Sequence, residues 1–407
     1  MLQPIIRDQN GQSFTLPAYT IDVTGAAGYE MRPERFELRQ GRIIRCLSEA
    51  AHPDLYVTAG LINCHLHWLM LGGTSFPDLV DTIQNRPDAI LEQALENAAL
   101  SLRNGITSCC DKGAPSYVTR RIYEGIEAAR NGGKAITKTQ YSPYMLVVSN
   151  AFAEDWCVHV ETEDDLEWVK KEWAETGAGI VKMIPESNFF PEPPHFKWVF
   201  DHALFEKARE HALENGLIFS IHGKGVESIE MGIQFRVDSI EHGLQATAEH
   251  LHQMQALGIF LGPTLEGFEC RLNWSRAHGK NLVMAEYEWE KSTALIRMAS
   301  TLNAGKPFPN LIFANDAGSF DTPHGTLREL YLLRQCGYSP EDVWRIATTN
   351  GATFMRKQTE IGQLAPGFAA DMIYWTKNPL TLGLDEWANL TDYIAAVVSD
   401  GQVVHLN

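Results

Sequence analysis

Eight short apolar runs, separated by amphipathic stretches, limit the architectures open to this 407-residue chain. The runs fall near residues 60–66, 106–111, 134–141, 178–184, 217–222, 236–241, 259–264 and 311–315. Between them, Ala89–Leu102, Val118–Arg130, Asp164–Glu175, Ala203–Asn215 and Met284–Leu302 carry helical periodicity. Short apolar runs alternating with helices read as buried parallel strands joined by crossovers. Gly105, Gly132, Gly177, Gly216 and Gly258 each follow a helical stretch, where a left-handed terminal residue favours glycine. Thr247 is placed to cap Ala248–Leu257, and Ser339-Pro340-Glu341-Asp342 opens the last helix with cap, proline and acidic first turn. Eight such units over residues 58–356 predict an α/β fold of the (β/α)8 TIM-barrel type rather than an open doubly wound sheet. No Gly-x-Gly-x-x-Gly follows the first run, which weighs against a dinucleotide fold. Residues 1–57 and 357–407 read as strands and turns, among them Gly41–Leu47, Ile361–Gly367, Asp371–Trp375 and Tyr393–Val404, and are expected to join in one small β module beside the barrel.

Six polar residues stand at the downstream ends of these runs: His65, His67, Lys182, His222, His242 and Asp316. A His-x-His pair on a strand sends both imidazoles to one face, which suits one metal held by two neutral nitrogens. His222 and His242 end successive runs, each followed by glycine, and Asp316 ends the eighth. A lone strand-end histidine is usually structural. In a barrel, however, the strand ends converge on one mouth, where catalytic residues gather. Lys182 lies inside Gly179-Ile180-Val181-Lys182-Met183-Ile184. A lysine ending a strand most often reaches solvent, but a buried ammonium tends to lose its proton. A neutral amine there can react with carbon dioxide, giving a carbamate whose two oxygens serve two metals. The six residues therefore predict a site for two divalent ions and hydrolysis by metal-activated water.

Composition excludes other classes. The net charge is −17 and no Lys/Arg block stands out, so nucleic acid, which needs clustered positive charge, is an improbable partner. Cys46, Cys64, Cys109, Cys110, Cys157, Cys270 and Cys336 form no Cys-x-x-Cys pair, which argues against a zinc ribbon or a disulfide scaffold. No apolar stretch reaches membrane-spanning length and the first residues lack a signal layout, so a cytoplasmic location with no membrane partner is expected.

The pattern resembles the amidohydrolase superfamily, particularly its imidazolonepropionase-like and Xaa-Pro dipeptidase-like branch. The resemblance is carried by Gly60–His67, Asn104-Gly105-Ile106-Thr107, Val181-Lys182, Ala212–His222, Val237–Gly243, Asp316-Ala317-Gly318, Ala347–Ala352, and Ile361–Gly367 with Ala370-Asp371. It implies a distorted barrel flanked by a β-sandwich that both chain ends build. It also implies that His65, His67 and Asp316 hold the more buried metal, that His222 and His242 hold the second, and that carbamylated Lys182 bridges them. Zinc is the usual ion and homo-oligomers are common. A hydroxide shared by the metals would cleave a C–N bond of a small substrate, an N-acyl amino acid, dipeptide, cyclic amide or aryl amide or carbamate, with Asp316 relaying the proton.

The chain departs from this branch in two places. Tyr141-Ser142-Pro143-Tyr144 stands where those enzymes often have Gly-Gly-His, and Gly223-Lys224-Gly225 where a tyrosine often follows the histidine. Lys224, Tyr144, Arg271, Trp68 and His324 are candidates to contact substrate from loops above the barrel, Lys224 foremost because it directly follows His222. Trp68, Phe189, Phe190, Phe268 and Trp274 would give those loops aromatic character, or simply pack them together. A mononuclear deaminase of the same superfamily is the nearest rival, but Gly225 stands where it would place a glutamate and Lys182 would have no role. A lactonase or esterase would use the same metals on an ester.

Overall fold

A computed structural model of the chain describes residues 3–7, 9, 11–25, 28–50, 52–69, 85–113, 116–147, 157–187, 196–319 and 321–406. Parallel strands form a nearly closed barrel: β1 (Leu61–Leu66), β2 (Ile106–Asp111), β3 (Lys138–Tyr141), β4 (Ile180–Ile184), β5 (Ile218–Gly223), β6 (Ser239–His242) and β7 (Phe260–Gly262). β1 pairs with β2 and β2 with β3, while β4, β5, β6 and β7 pair in sequence order. The expected third strand is shorter than the 134–141 run and breaks at Ser142. Beyond the break, Met145–Val147 pairs with β4, and Ser142 Oγ accepts the Lys182 backbone N–H at 3.2 Å.

Closure falls to the eighth run, which is extended without regular strand pairing. Leu261 N donates to Asn310 O at 2.9 Å and Ile312 N to Leu261 O at 3.1 Å, joining the segment to β7. On its other side, Cys64 N donates to Phe313 O (2.7 Å), Asp316 N to His65 O (3.0 Å) and His67 N to Ala317 O (2.9 Å).

The helices between strands follow the expected boundaries within a few residues, for example Pro87–Arg103, Glu163–Thr176, His202–Glu214 and Leu282–Ala299. Thr247 caps Ala248–Leu257 by accepting from His250 N, and Ser339 caps Pro340–Arg345 through Asp342 N. One cap differs: after Ser116–Asn131 the left-handed residue is Gly133 (φ +88°), not Gly132. The Leu265–His278 helix after β7 has no clear apolar face, because Leu265, Glu266, Gly267 and Phe268 are buried together in its first turn.

Strands from both chain ends share one sheet. Tyr56–Ala59 pairs antiparallel with Met372–Trp375, which pairs with Ile394–Ser399, which in turn pairs with Gln402–Leu406. On the other side, Ala18–Asp22 pairs with Tyr56–Ala59 and with Glu30–Arg39, whose opposite edge meets Arg42–Ser48. Phe36, Ile43, Val57, Met372, Tyr374 and Val398 bury a core of their own here. Gln40-Gly41 and Asp400-Gly401 both turn with two positive φ angles, the geometry of tight hairpins. The two tips touch, and Ala370 bridges them by donating to Gly41 O and accepting from Gly401 N. Ile361–Gly367, expected as a strand, is instead a series of turns around these tips. Lys138 on β3 pairs with Asp371 (2.5 Å) and Asp400 (3.0 Å), tying the sheet to the barrel.

Gly60 precedes β1 at the junction of barrel and sheet, and a Cβ there would collide with Thr107 Oγ1 and Cγ2. Thr107 is β-branched and cannot swing aside freely. Gly60→Ala is therefore expected to lower the unfolding free energy by about 1–3 kcal/mol, measured by denaturant titration. Adding Thr107→Ala is expected to restore most of that loss.

Candidate metal centre

At the carboxyl end of β1, alternation points His65 and His67 to the same side. Both rings use Nδ1 to donate: His65 to Glu241 Oε2 at 2.7 Å and His67 to Gly113 O at 2.5 Å. A carbonyl oxygen can only accept, and an ionised carboxylate likewise, so both protons sit on Nδ1. With Nδ1 protonated, a neutral ring leaves Nε2 as a bare lone pair. The two Nε2 atoms lie 3.3 Å apart, and Asp316 Oδ1 stands 3.3 Å from one and 3.1 Å from the other. Among the described residues no aligned donor reaches this buried carboxylate oxygen. Three acceptors facing one another without a proton between them form a site for a cation, and their ligand atoms lie within 4.8 Å of one another.

His242 and His222 complete the cluster. Their ring centroids are 4.4 Å apart, and His242 lies 5.6 Å from His65. His242 follows Glu241, so regular alternation would turn one of the two outward. Instead His242 takes φ +73°, and both side chains reach the interior. Thr264 (φ +52°) and Asp316 (φ +57°), at the ends of the next two runs, also take the left-handed conformation. Such backbone costs about 1–3 kcal/mol per residue, and three consecutive strand ends carry it. His242 Nδ1 is 2.8 Å from Thr264 Oγ1, and His222 Nε2 is 3.4 Å from Glu186 Oε1.

Burial, reinforced by the charges of Lys224 and Lys182, holds the His222 imidazole well below its usual pKa. Burial, then His222 and Lys224, do the same to His242, and burial with Lys182 lowers His65. Neutral imidazoles are the form that binds metals. Burial alone would raise the Asp316 carboxyl, but a proton entering the cluster settles on His65 or His67, and the ring charge it creates holds the carboxyl well below the carboxylate range. Lys182 is also buried, and desolvation brings its ammonium down to about 8 against the partial opposition of Glu241. Its Nζ donates no hydrogen bond to the described residues. A second buried lysine, Lys112, differs: its Nζ donates to Ser220 Oγ at 2.8 Å and Glu241 Oε1 at 3.1 Å.

The five candidate substrate contacts separate. Lys224 and Arg271 converge on Glu288, at 2.8 and 2.7 Å, with the Lys224 ammonium 5.5 Å from the Phe268 ring centroid. Phe268 in turn stands edge-on to His242 at 5.6 Å, so this group borders the histidine cluster. Trp68 is fully buried, donates to Thr139 Oγ1 and stacks on His324 at 5.2 Å. The Tyr144 hydroxyl donates to Glu172 on the Glu163–Thr176 helix. Trp274 stacks on His278 within its own helix. Phe189 and Phe190 lie outside the described residues.

Sequence reasoning missed four charged residues that support the site: Lys112, Glu186, Glu241 and Glu288. Glu241 and Lys112 were visible by the criterion that singled out Lys182, a charge at the end of an apolar run. Glu288 gave no signal, being one of several acidic residues on an amphipathic helix.

A parallel barrel with imidazoles, a carboxylate and a desolvated lysine gathered at its carboxyl-end mouth is the build of a hydrolytic barrel enzyme. The sequence profile described as "Amidohydrolase family" matches residues 56–404, and the chain belongs to that family. Among solved structures it is similar to a Xaa-Pro dipeptidase with bound methionine in the active site (TM-score 0.80, 18% identity, covering 95% of this chain and 98% of that one). It is also similar to an ochratoxinase from A. niger (0.76, 18%, 95% and 94%) and to phenylurea hydrolase B (0.73, 14%, 95% and 95%). No curated protein sequence matches the chain. Among the described residues no helix is long and apolar enough to cross a membrane.

Glu288 is 1% exposed and neutralises two cations. Glu288→Gln is expected to destabilise the protein by about 3 kcal/mol, because removing one member of a buried ionic group leaves the others uncompensated. Calorimetry of the metal-free protein would check it, and Glu288→Gln with Lys224→Met is expected to lose less than the single variant.

Proposed function

We propose that the protein is a binuclear metal-dependent amidohydrolase that cleaves a C–N bond of a small substrate. The observation that carries this reading is the meeting of His65 Nε2, His67 Nε2 and Asp316 Oδ1 beside desolvated Lys182, whose Nζ donates no hydrogen bond to the described residues. His65, His67 and Asp316 would hold one ion and His222 and His242 the other, with Lys182 between them. Zinc suits such a nitrogen and oxygen donor set. Bound divalent ions would supply Lewis-acid polarisation of a carbonyl and a water acidified towards pKa 7.

Lys182 would react as the neutral amine: its nitrogen adds to carbon dioxide, one proton leaves, and the carbamate offers an oxygen to each ion. Of the buried lysines Lys112, Lys182 and Lys224 it is the one suited to this, because Lys112 is already committed to Glu241 and Ser220 and Lys224 to Glu288. Asp316 would take a proton from the attacking water and deliver it to the leaving nitrogen. Lys224 and Arg271, borne by Glu288 at the edge of the cluster, are the best placed of the five candidates to meet a substrate. Tyr144, Trp68 and His324 fit a packing role better, given their present partners. The dipeptidase, ochratoxinase and phenylurea hydrolase neighbours support amide- and urea-type bonds as the substrate range. A hydrolysis screen of N-acyl amino acids, dipeptides, cyclic amides and aryl carbamates or ureas, with enzyme supplied with zinc and bicarbonate, tests this. About two ions per chain favours the hydrolase, whereas one ion and ammonia release favours the rival deaminase.

Asp316→Asn is expected to retain bound metal while kcat falls by roughly 10²–10⁴. Unchanged turnover would remove Asp316 from its role.

Since the Lys182 ammonium titrates near 8, its neutral fraction rises about tenfold per pH unit below that point and levels off above it. Recovery of metal-stripped enzyme on adding zinc at fixed dissolved carbon dioxide is therefore expected to accelerate up to about pH 8 and then plateau. A recovery rate indifferent to pH and to carbon dioxide would contradict carbamylation.

A further inference from the structure

Beneath the histidine cluster, the barrel interior holds a charged pair that the reaction outlined above does not use. Lys112 and Glu241 are both fully buried. Glu241 Oε1 accepts from Lys112 Nζ at 3.1 Å and from Ser239 Oγ at 2.5 Å. Lys112 also donates to Ser220 Oγ, and its Nζ lies 4.6 Å from the Phe354 ring centroid. The second carboxylate oxygen is left for His65 Nδ1, at 2.7 Å. Room for it comes from β7, where a Cβ on Gly262 would collide with Glu241 Oε2. A buried ion pair gains little over apolar packing of the same volume, so stability is a weak reason for its presence. Orientation is a better one, because the partner of a histidine's second nitrogen decides which tautomer it adopts.

We propose that the Lys112–Glu241 pair is a positioning device that fixes His65 as the Nδ1-protonated tautomer, aiming the Nε2 lone pair at the space shared with His67 and Asp316. This rests on the metal-centre reading and deepens it. Glu241 touches the ring only on the side away from Asp316, so it acts through His65. Lys112 supplies the counter-charge that a carboxylate needs where water is excluded, and Ser220 and Ser239 fix the direction of both.

The test compares zinc affinity, by chelator competition, with the histidine ¹⁵N spectrum of the metal-free protein. In Glu241→Gln the amide oxygen is drawn to Lys112 and Ser239, so the amide nitrogen faces His65 and forces its proton onto Nε2. The expected result is zinc binding roughly 10–100-fold weaker, with the His65 signals, assigned by their loss in His65→Gln, changed to the Nε2-protonated form. Lys112→Met/Glu241→Gln is expected to be more heat-stable than Lys112→Met alone yet to stay weak for zinc. Should Glu241→Gln not fold, Gly262→Ala, which displaces the same carboxylate without removing it, carries the same expectation. Wild-type affinity with an unchanged tautomer in Glu241→Gln, or affinity regained together with stability in the double variant, would overturn the proposal. His65→Gln separates the two readings. If it binds zinc as well as the wild type, the metal centre itself is misassigned; if it loses zinc while Glu241→Gln does not, only the positioning role fails.

Discussion

The hydrogen bonds lacing the 311–317 segment to β1 are the constraint on which the site depends. Three of them bracket His65: Cys64 N to Phe313 O, Asp316 N to His65 O, and His67 N to Ala317 O. Net contributions of about 0.5–1.5 kcal/mol each together offset the roughly 1–3 kcal/mol that left-handed backbone costs at Asp316. The strained backbone at Asp316 is thus held by its neighbours, and the carboxylate is delivered between two imidazoles rather than along the strand axis. His242 shows the same economy of means on β6, where a single left-handed residue brings consecutive side chains to one side.

Electrostatics then follow from exclusion of water. Desolvation favours the uncharged forms of His65, His222, His242 and Lys182 together, which gathers neutral donors in one place. Glu241 is answered by Lys112, and Glu288 by Lys224 and Arg271. Once Lys182 gives up its proton, an exogenous cation would balance the Asp316 charge.

Much of this was legible in the sequence because strand ends announce themselves. The periodicity of apolar runs gave the barrel, and the residues ending them gave the set that the fold brings together. What escaped reading has physical reasons. Alternation cannot foresee that Glu241 and His242 both turn inward, since that depends on one φ angle. The break after Tyr141 and the loose pairing of 311–317 come from barrel closure, a long-range condition absent from local patterns. Trp68 reads as a mouth residue by position, yet its indole is drawn into contacts with Thr139 and His324. Glu288 lies 64 residues from Lys224, and nothing in either neighbourhood announces their pairing.

The sheet assembled from both chain ends bears on how the molecule is made. Tyr56–Ala59 has Met372–Trp375 as its antiparallel neighbour, and the Gln40-Gly41 tip is closed by Ala370 and Asp400-Gly401. During synthesis the first strands leave the ribosome some three hundred residues before their partners exist. Their open edge must be kept from other nascent chains for that interval, and pairings so distant in sequence form slowly. Vectorial folding can therefore begin with the barrel's early units, but the sheet that steadies β1 is among the last parts of the molecule to be sealed.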